Sequence, residues 1–423
     1  MVLKMRKMKD SGIEWIGEIP EGWEIKRLGA ILQDRNEVNN PIQTTIILSL
    51  TNNRGVIPYS EKGNQGNKAK DDLTGYKIAH IGDIVLNSMN VIIGSVGLSN
   101  YYGAVSPVYY MLFPRNNIET NIQYYNYLFQ TTAFQQSLRG YGNGILEIRM
   151  RIQMQKLKTV LLPVPTFLEQ SNITVYLDAS LSKLNILLSK TRSSIEEYKK
   201  LKQAVITQAV TKGVRGKRET KDSKIEWLGQ IPKEWKCQKL KYTIFPQNRP
   251  VFNTDEIITC FRDGIVTLRK NRREDGFTVS FTEHGYQGVE IGDLVIHGMD
   301  AFAGAIGCSD SRGKTTPVVH VCTTTGNNRF FMFFLRYMAY SNIFMDFSNG
   351  IRIRSSDFRN FTKLGIFDVL VPPIAEQNEI ADYLDAKCAE IDGLIAKKEQ
   401  LVKELESYKK SLIYEIVTGK REV

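Results

Sequence analysis

The feature that most limits what this chain can fold into is that it is written twice. Residues 10–28, DSGIEWIGEIPEGWEIKRL, align without a gap to residues 222–240, DSKIEWLGQIPKEWKCQKL, sharing Asp, Ser, Ile, Glu, Trp, Gly, Ile, Pro, Trp and Leu, which is 10 of 19 positions. A second block, 81–108, matches 291–318 and keeps Gly82/Gly292, Asp83/Asp293, Met89/Met299, Gly94/Gly304, Gly97/Gly307 and Pro107/Pro317. A third pairs Glu169-Gln170 and Tyr176-Leu177-Asp178 with Glu376-Gln377 and Tyr383-Leu384-Asp385. The offset drifts only from 212 to 207, so the whole chain reads as a tandem duplication. Whatever one half folds into, the other must fold into as well.

Each half has the same internal order, a β-rich part followed by a long helix. Runs 46–50, 84–86, 257–260 and 294–296 are short, apolar and bounded by Gly, Asn, Asp and Ser, as strands are. Aromatic helices are expected over 124–138 and 330–347, their rings serving as core. Pro163 and Pro165, and Pro372 and Pro373, punctuate the entry to each long helix. There the apolar residues recur at alternating spacings of four and three: Leu177, Leu181, Leu184, Leu188, Ile195, Tyr198, Val205 and Ala209, copied as Leu384, Cys388, Ile391, Ile395, Val402, Leu405, Leu412 and Ile416. This is a heptad seam, broken in both copies at the same two places, Thr191/Lys398 and Lys202/Lys409. The first helix leads the chain away from the first domain and the second begins at the second domain, so pairing of the seams requires an antiparallel coiled coil. The expected fold is α+β: globular domains at 1–165 and 216–372, helices at 166–215 and 373–423.

Composition decides the class of partner. A net charge of +11 and a pI near 9.2 favour a polyanion. A membrane is not expected, because no apolar stretch approaches the length of a span; the greasiest helix candidate, 330–340, carries Arg336. No signal or transit peptide is readable behind Lys4, Arg6, Lys7 and Lys9, which places the protein in the cytoplasm. Cys237, Cys260, Cys308, Cys322 and Cys388 have no metal-ligand spacing and fall opposite Ile25, Leu50, Leu98, Leu112 and Leu181, so they read as buried aliphatic equivalents, and no metal site is expected.

The duplicated Ile-Glu-Trp-x-Gly-x-Ile-Pro-x-x-Trp opening, the Gly-Asp strand followed by a glycine-rich segment, and the Glu-Gln helix start resemble the specificity subunit of type I restriction-modification enzymes over essentially the whole chain. The resemblance implies two target-recognition domains, each reading one half of a bipartite, asymmetric site in double-stranded DNA. It implies that the helices set the unread spacer and dock two modification (methyltransferase) subunits, joined by two restriction subunits. S-adenosylmethionine, ATP and Mg are then expected in those partners and no cofactor in this chain, which would be a non-catalytic DNA-binding subunit serving phage defence.

Residue chemistry adds candidates. Loops after equivalent strands carry Asn52, Asn53 and Arg54 in one half and Arg262 and Asp263 in the other; loops after the Gly-Asp strand carry Asn87, Asn90, Tyr101 and Tyr102 against His297, Asp300, Arg312 and Lys314. Asn suits adenine edges, Arg guanine and Asp the cytosine amine, so one frame with divergent chemistry would read two different half-sites. Lys62, Lys68 and Lys70, and Arg269, Lys270, Arg272 and Arg273, are candidates for phosphates, which position without specifying. Any of these is equally a turn former or a solvated charge. No phosphate-cradling loop and no Asn-Pro-Pro-aromatic tetrapeptide occurs, and no histidine is kept in both halves. Asp10, Glu24 and Lys26 sketch a nuclease-like set, but the second copy reads Asp222, Lys236 and Gln238. Two other readings stay open at this stage: a stand-alone DNA nuclease using that patch, and a coiled-coil scaffold with no DNA role.

Overall fold

The computed structural model describes residues 6–52, 54–63, 68–143, 151–272, 283–346 and 358–423. Asn53 and Arg273 lie outside the described residues. The chain divides into two compact units, Met1–Thr191 with Gln400–Val423, and Arg192–Glu399.

Both units repeat one antiparallel sheet. In the first, β1 (Leu32–Arg35), β2 (Ile84–Asn87), β3 (Val96–Leu98) and β4 (Tyr109–Pro114) lie in the order β1-β4-β2-β3, with Ile84 opposite Leu112 and Leu98. In the second, β5 (Ile244–Pro246), β6 (Leu294–His297), β7 (Ile306–Cys308) and β8 (Val319–Thr324) lie in the order β5-β8-β6-β7, with Leu294 opposite Cys322 and Cys308. The strand period of two explains why these runs are apolar throughout. Ile84 and Leu86 face the main core and Val85 a smaller one under the hairpin 48–58, as Leu294 and Ile296 face one core and Val295 another.

The aromatic helices lie within the core, shorter than their periodicity suggests. α1 (Ile122–Phe129) stops where Thr131 caps a new short helix, its hydroxyl accepting the N–H of Phe134 at 3.3 Å. The second aromatic run also divides, where Asn342 takes a left-handed backbone (φ 59°). Tyr124, Tyr125, Phe129 and Phe134, and Phe330, Phe331, Phe334 and Phe344, are fully buried.

Two long helices follow. α2 spans Phe167–Lys212, 46 residues, and α4 spans Ile374–Val417, 44 residues; α3 is the aromatic helix Asn328–Tyr340 between them. The Glu-Gln pair at each start is a joint. Glu169 accepts the indole N–H of Trp23 at 3.2 Å and a bond from Arg6, while reaching back to Thr166 as a capping box. Glu376 accepts the indole of Trp235 at 3.0 Å and Arg218 at 2.5 Å. Burial pushes the Glu169 carboxyl up, but its bonds to Arg6, Trp23 and Thr166 outweigh that and hold it below the ordinary range. Gln170 accepts the backbone N–H of Asn121, the cap of α1, at 2.8 Å, and Gln377 does the same for Asn327, the cap of α3, at 2.9 Å. These two residues thus join the opening motif, the aromatic helix and the long helix of each repeat.

Each core is completed by the last turns of the long helix that follows the other domain. Leu412, Ile413, Ile416 and Val417 belong to the core containing Trp23, where Tyr124 Oη donates to the carbonyl of Val417 at 2.8 Å and Tyr414 Oη to that of Trp15 at 3.0 Å. Ile206, Ala209 and Val210 belong to the core containing Trp235. Seam residues Leu177, Leu181, Leu188, Ile195, Leu384, Cys388, Ile391 and Leu412 are buried, and Leu184, Tyr198, Val205, Ile395, Val402 and Leu405 half-buried. The breaks in the seam have partners: Lys202 Nζ meets Asp392 at 2.6 Å, Lys398 lies 5.6 Å from the Tyr198 ring centroid, Lys409 donates to Asn185 at 2.8 Å, and Thr191 Oγ1 to its own helix at Leu187. From 198 to 202 along α2 the partner falls from 398 to 392, so the helices pair antiparallel.

The cysteine expectation needs one correction. Cys260, Cys322 and Cys388 are buried, but Cys237 and Cys308 are only half-buried, because both lie in strands near the rim of their sheets. Burial still pushes the Cys308 thiol up to about 12, so it stays protonated and inert.

Candidate nucleic-acid interface

The hairpin Leu48–Pro58 carries Asn52 and Arg54, and it crosses β3 where two glycines meet. A Cβ on Gly97 would lie 3.0 Å from the Cα of Gly55; on Gly307 it would lie 2.0 Å from the carbonyl of Gly264. Gly94 and Gly304 close the preceding turn at φ of 97° and 90°. The retained glycines therefore bring the hairpin tip against the C-terminal end of β2 or β6, and this is the physical content of the glycine-rich block.

That approach sorts the candidate residues into two places. At the C-terminal end of β2 the structure gathers Asn52, Asn87 and Asn90: Ser95 Oγ donates to Asn52 at 2.8 Å, and Ser95 also accepts the N–H of Asn87 at 3.0 Å. At the same end of β6 it gathers Arg262, Asp263, His297 and Asp300, with Arg262 bound to Asp300 at 3.0 Å. Here Phe261, Arg269, Arg272, Thr315 and Thr316 complete a cleft of about 680 Å³. Tyr101 and Tyr102, by contrast, follow Leu98, which pairs with the first residue of β2, so they sit at the opposite end of the strand; Arg312, bound to Glu290, does the same in the second unit, while Lys314 lies in the short strand Gly313–Thr315 that leads from there to the cleft.

Most of the charged candidates have partners within the protein. Arg272 clamps Asp263 at 2.5 and 2.9 Å and lies 4.3 Å over the Phe261 ring. Lys270 meets Glu256 at 2.5 Å, Lys314 meets Glu283 at 2.7 Å, and Arg312 is held by Asp255 and Glu290. Arg54 binds Glu61 at 2.5 Å, and Lys62 lies over Tyr59. Arg269 donates to Thr259 at 3.3 Å, while Lys68 and Lys70 are exposed. Burial raises the Asp263 carboxyl, yet its bonds to Arg272 and the N–H of Ile265, with the charges of Arg272 and Arg336, carry it below the ordinary range. The acidic and basic groups of the cleft are thus already paired, Arg272 with Asp263 and Arg262 with Asp300.

The nuclease-like set is spent otherwise. Asp10 Oδ1 accepts the N–H of Gly12 at 2.9 Å and Glu24 pairs with Lys26 at 2.8 Å. Among the described residues no group of His, Cys, Asp and Glu is placed to hold a metal ion, and no helix is long and apolar enough to cross a membrane.

Comparison with known proteins places this frame. Residues 20–197 match the family model of the type I restriction modification DNA specificity domain. Over nearly its whole length the chain is similar to type I specificity subunits. It is 26% identical over 435 residues to a protein of Methanocaldococcus jannaschii described as the specificity subunit of the type I restriction enzyme MjaX, covering 96% of this chain and 95% of that one. It is 24% identical to the MjaVIII specificity subunit of the same organism, covering 99% and 98%. Among solved structures it shares its fold with a chain from a study of assembly and conformational transition of the type I R-M system (TM-score 0.68, 13% identity, 95% and 99% covered). It also shares it with the HsdS subunit of Thermoanaerobacter tengcongensis (TM-score 0.52, 13% identity, 95% and 98% covered).

Proposed function

We propose that this chain is the non-catalytic DNA-reading subunit of a type I restriction-modification complex, each recognition domain reading one half of a bipartite, asymmetric site. One observation carries the reading: the same end of the same strand holds Asn52, Asn87 and Asn90 in one unit and Arg262, Asp263, His297 and Asp300 in the other. A shared frame with divergent hydrogen-bonding groups gives two readers of different bases. Charge supports duplex DNA as the ligand, since the chain carries +11.

The long helices set the spacer and dock two methyltransferase subunits, which bring S-adenosylmethionine; two restriction subunits bring ATP and Mg. Docking is favoured by a second apolar row, outside the seam, repeated on both helices: Tyr176, Leu187 and Leu201 on α2, and Tyr383, Leu394 and Tyr408 on α4, all exposed. Asn52, Arg54, Asn87, Asn90, Arg262, Asp263, His297 and Asp300 face bases in this reading, and Arg269 and Arg272 face phosphates.

The purified chain is expected to transfer no methyl group and to cut no DNA. With its methyltransferase partner it should methylate one split motif, with affinity that falls steeply as salt rises. Methyl transfer by the homogeneous chain alone would overturn the reading, as would a complex that binds all duplex sequences equally.

A further inference from the structure

The last residue of β2 and the last residue of β6 make the same turn with different side chains. The carbonyl of Asn87 accepts the N–H of Asn90 at 3.2 Å, and its Oδ1 accepts the N–H of Met89 at 3.0 Å. The carbonyl of His297 accepts the N–H of Asp300 at 3.2 Å, and its Nδ1 accepts the N–H groups of Met299 at 3.3 Å and Asp300 at 3.1 Å. A backbone N–H can only donate. The atom of Asn87 facing Met89 must therefore be the oxygen, and Nδ1 of His297 must be without a proton. What remains at the outer end is Nδ2 with two hydrogens in one unit, and in a neutral imidazole Nε2 with one in the other. Neither atom has a partner among the described residues.

We propose that Asn87 and His297 determine specificity as donor-only readers, each giving a hydrogen bond to an acceptor atom on a base edge of its own half-site. The inference rests on the reading of these strand ends as DNA-facing. Both side chains are recessed, Asn87 being 8% exposed and the His297 side chain 24%, which suits a base edge reached in a groove better than a phosphate at its rim. Burial, offset only in part by Asp300, holds the imidazole below its usual titration range and therefore neutral. In the major groove the acceptors are N7 and O6 of guanine, N7 of adenine and O4 of thymine. The usual two-point pairing of asparagine with adenine needs the amide oxygen as well, and at Asn87 the turn has consumed it. Adenine N6 and cytosine N4, both donors, are excluded as partners.

Asn87→Asp keeps an oxygen for Met89 and turns the free end from donor to acceptor, so the turn survives while the reader inverts. His297→Asn reproduces the arrangement that Asn87 already makes, and His297→Asp inverts it. The assay is binding by the full chain assembled with its methyltransferase partner, on duplexes bearing the methylated motif mapped in the host. Purines and thymines of the motif are replaced one at a time by 7-deaza purines, O6-methylguanine or 4-thiothymine. Asn87→Asp should weaken binding to the natural site by about tenfold or more and lose nothing further on the one analogue, in one half-site, to which the parent protein is sensitive. His297→Asp should do the same in the other half-site, and His297→Asn should bind as the parent does.

Two results overturn the proposal. If both Asp variants bind as the parent does, the side chains are turn formers only. If the loss is equal on unrelated DNA, or appears only on methylphosphonate-substituted backbones, they meet phosphate. Asn52→Ala and Arg262→Ala separate this from the reading beneath it. Loss of specific binding in these two, with none in the Asp variants, sinks the donor assignment alone. No loss in any of the variants sinks the strand ends as the DNA face.

Discussion

Tyr125 buries its whole side chain in the first core, yet its hydroxyl finds no partner among the described residues. Counting from the equivalent helix caps, Asn121 and Asn327, the second unit has Phe331 at this place, so a bare phenyl ring fits the frame. An unpaired buried hydroxyl costs about 1–3 kcal/mol. Tyr125→Phe is therefore expected to stabilise the first unit by about 1 kcal/mol, read as a higher melting midpoint. Tyr124→Phe, one residue away, should do the opposite by a similar amount, because it deletes the bond to Val417 that ties α4 into the core. Equal effects from the two changes would show that the hydroxyls are energetically alike and the argument wrong. The duplication exposes strain in the same way: Lys224 adopts φ 58° where the first repeat has Gly12 at 67°, both donating to the preceding aspartate at 2.9 Å.

Helix pairing fixes which segments face each other. In the first unit Asn185 meets Lys409, so residues 185–191 of α2 lie against 403–409 of α4. Deleting both segments removes one heptad from each helix, keeps Leu184 and Ile195 in seam phase, and leaves every other facing pair as it is. At 1.5 Å per residue the paired helices shorten by about 10 Å. Duplex DNA rises about 3.4 Å per base pair, so the spacer of the methylated motif should lose up to about three base pairs while both half-sites stay the same. The measurement is the methylated motif of a host carrying the shortened chain with its partners. An active complex with an unaltered spacer would make the helices a brace and not a ruler. The polar residues of the seam are not expected to add much stability, since exposed pairs such as Lys202 with Asp392 contribute little; their effect is on register.

For the molecule as a whole, the two units are separate cores, and each contains the end of the helix that follows the other domain. A domain exchange must respect this. Replacing residues 1–165 by those of a relative leaves foreign side chains against Leu412, Ile413, Ile416 and Val417, so the exchange should also carry 412–423. Such a chimera, with its partners, is expected to change one half of the methylated motif and leave the other. The exchange of 1–165 alone should change the same half but melt earlier. If both halves changed, the domains would not read independently.

The sequence by itself determined the duplication, the α+β class, the antiparallel pairing of the seams and the places where they break. Each of these is carried by spacing along the chain, and a helix or strand turns spacing directly into a face. Trp23 and Glu169, or Trp235 and Glu376, were legible as conserved between the halves, although not as bonded to each other. What only the tertiary structure decided concerns residues distant along the chain. It separated Tyr101, Tyr102 and Arg312 from the strand ends that hold the other candidates, because pairing of Leu98 with Ile84 and of Cys308 with Leu294 sends those loops to the other end of the strands. It paired Arg262 with Asp300 and Arg272 with Asp263, where composition shows only free charges. It also spent one end of Asn87 and of His297 on the turn, leaving each a donor. A side chain's type fixes which hydrogen bonds it can make; its neighbours in space fix which are still available.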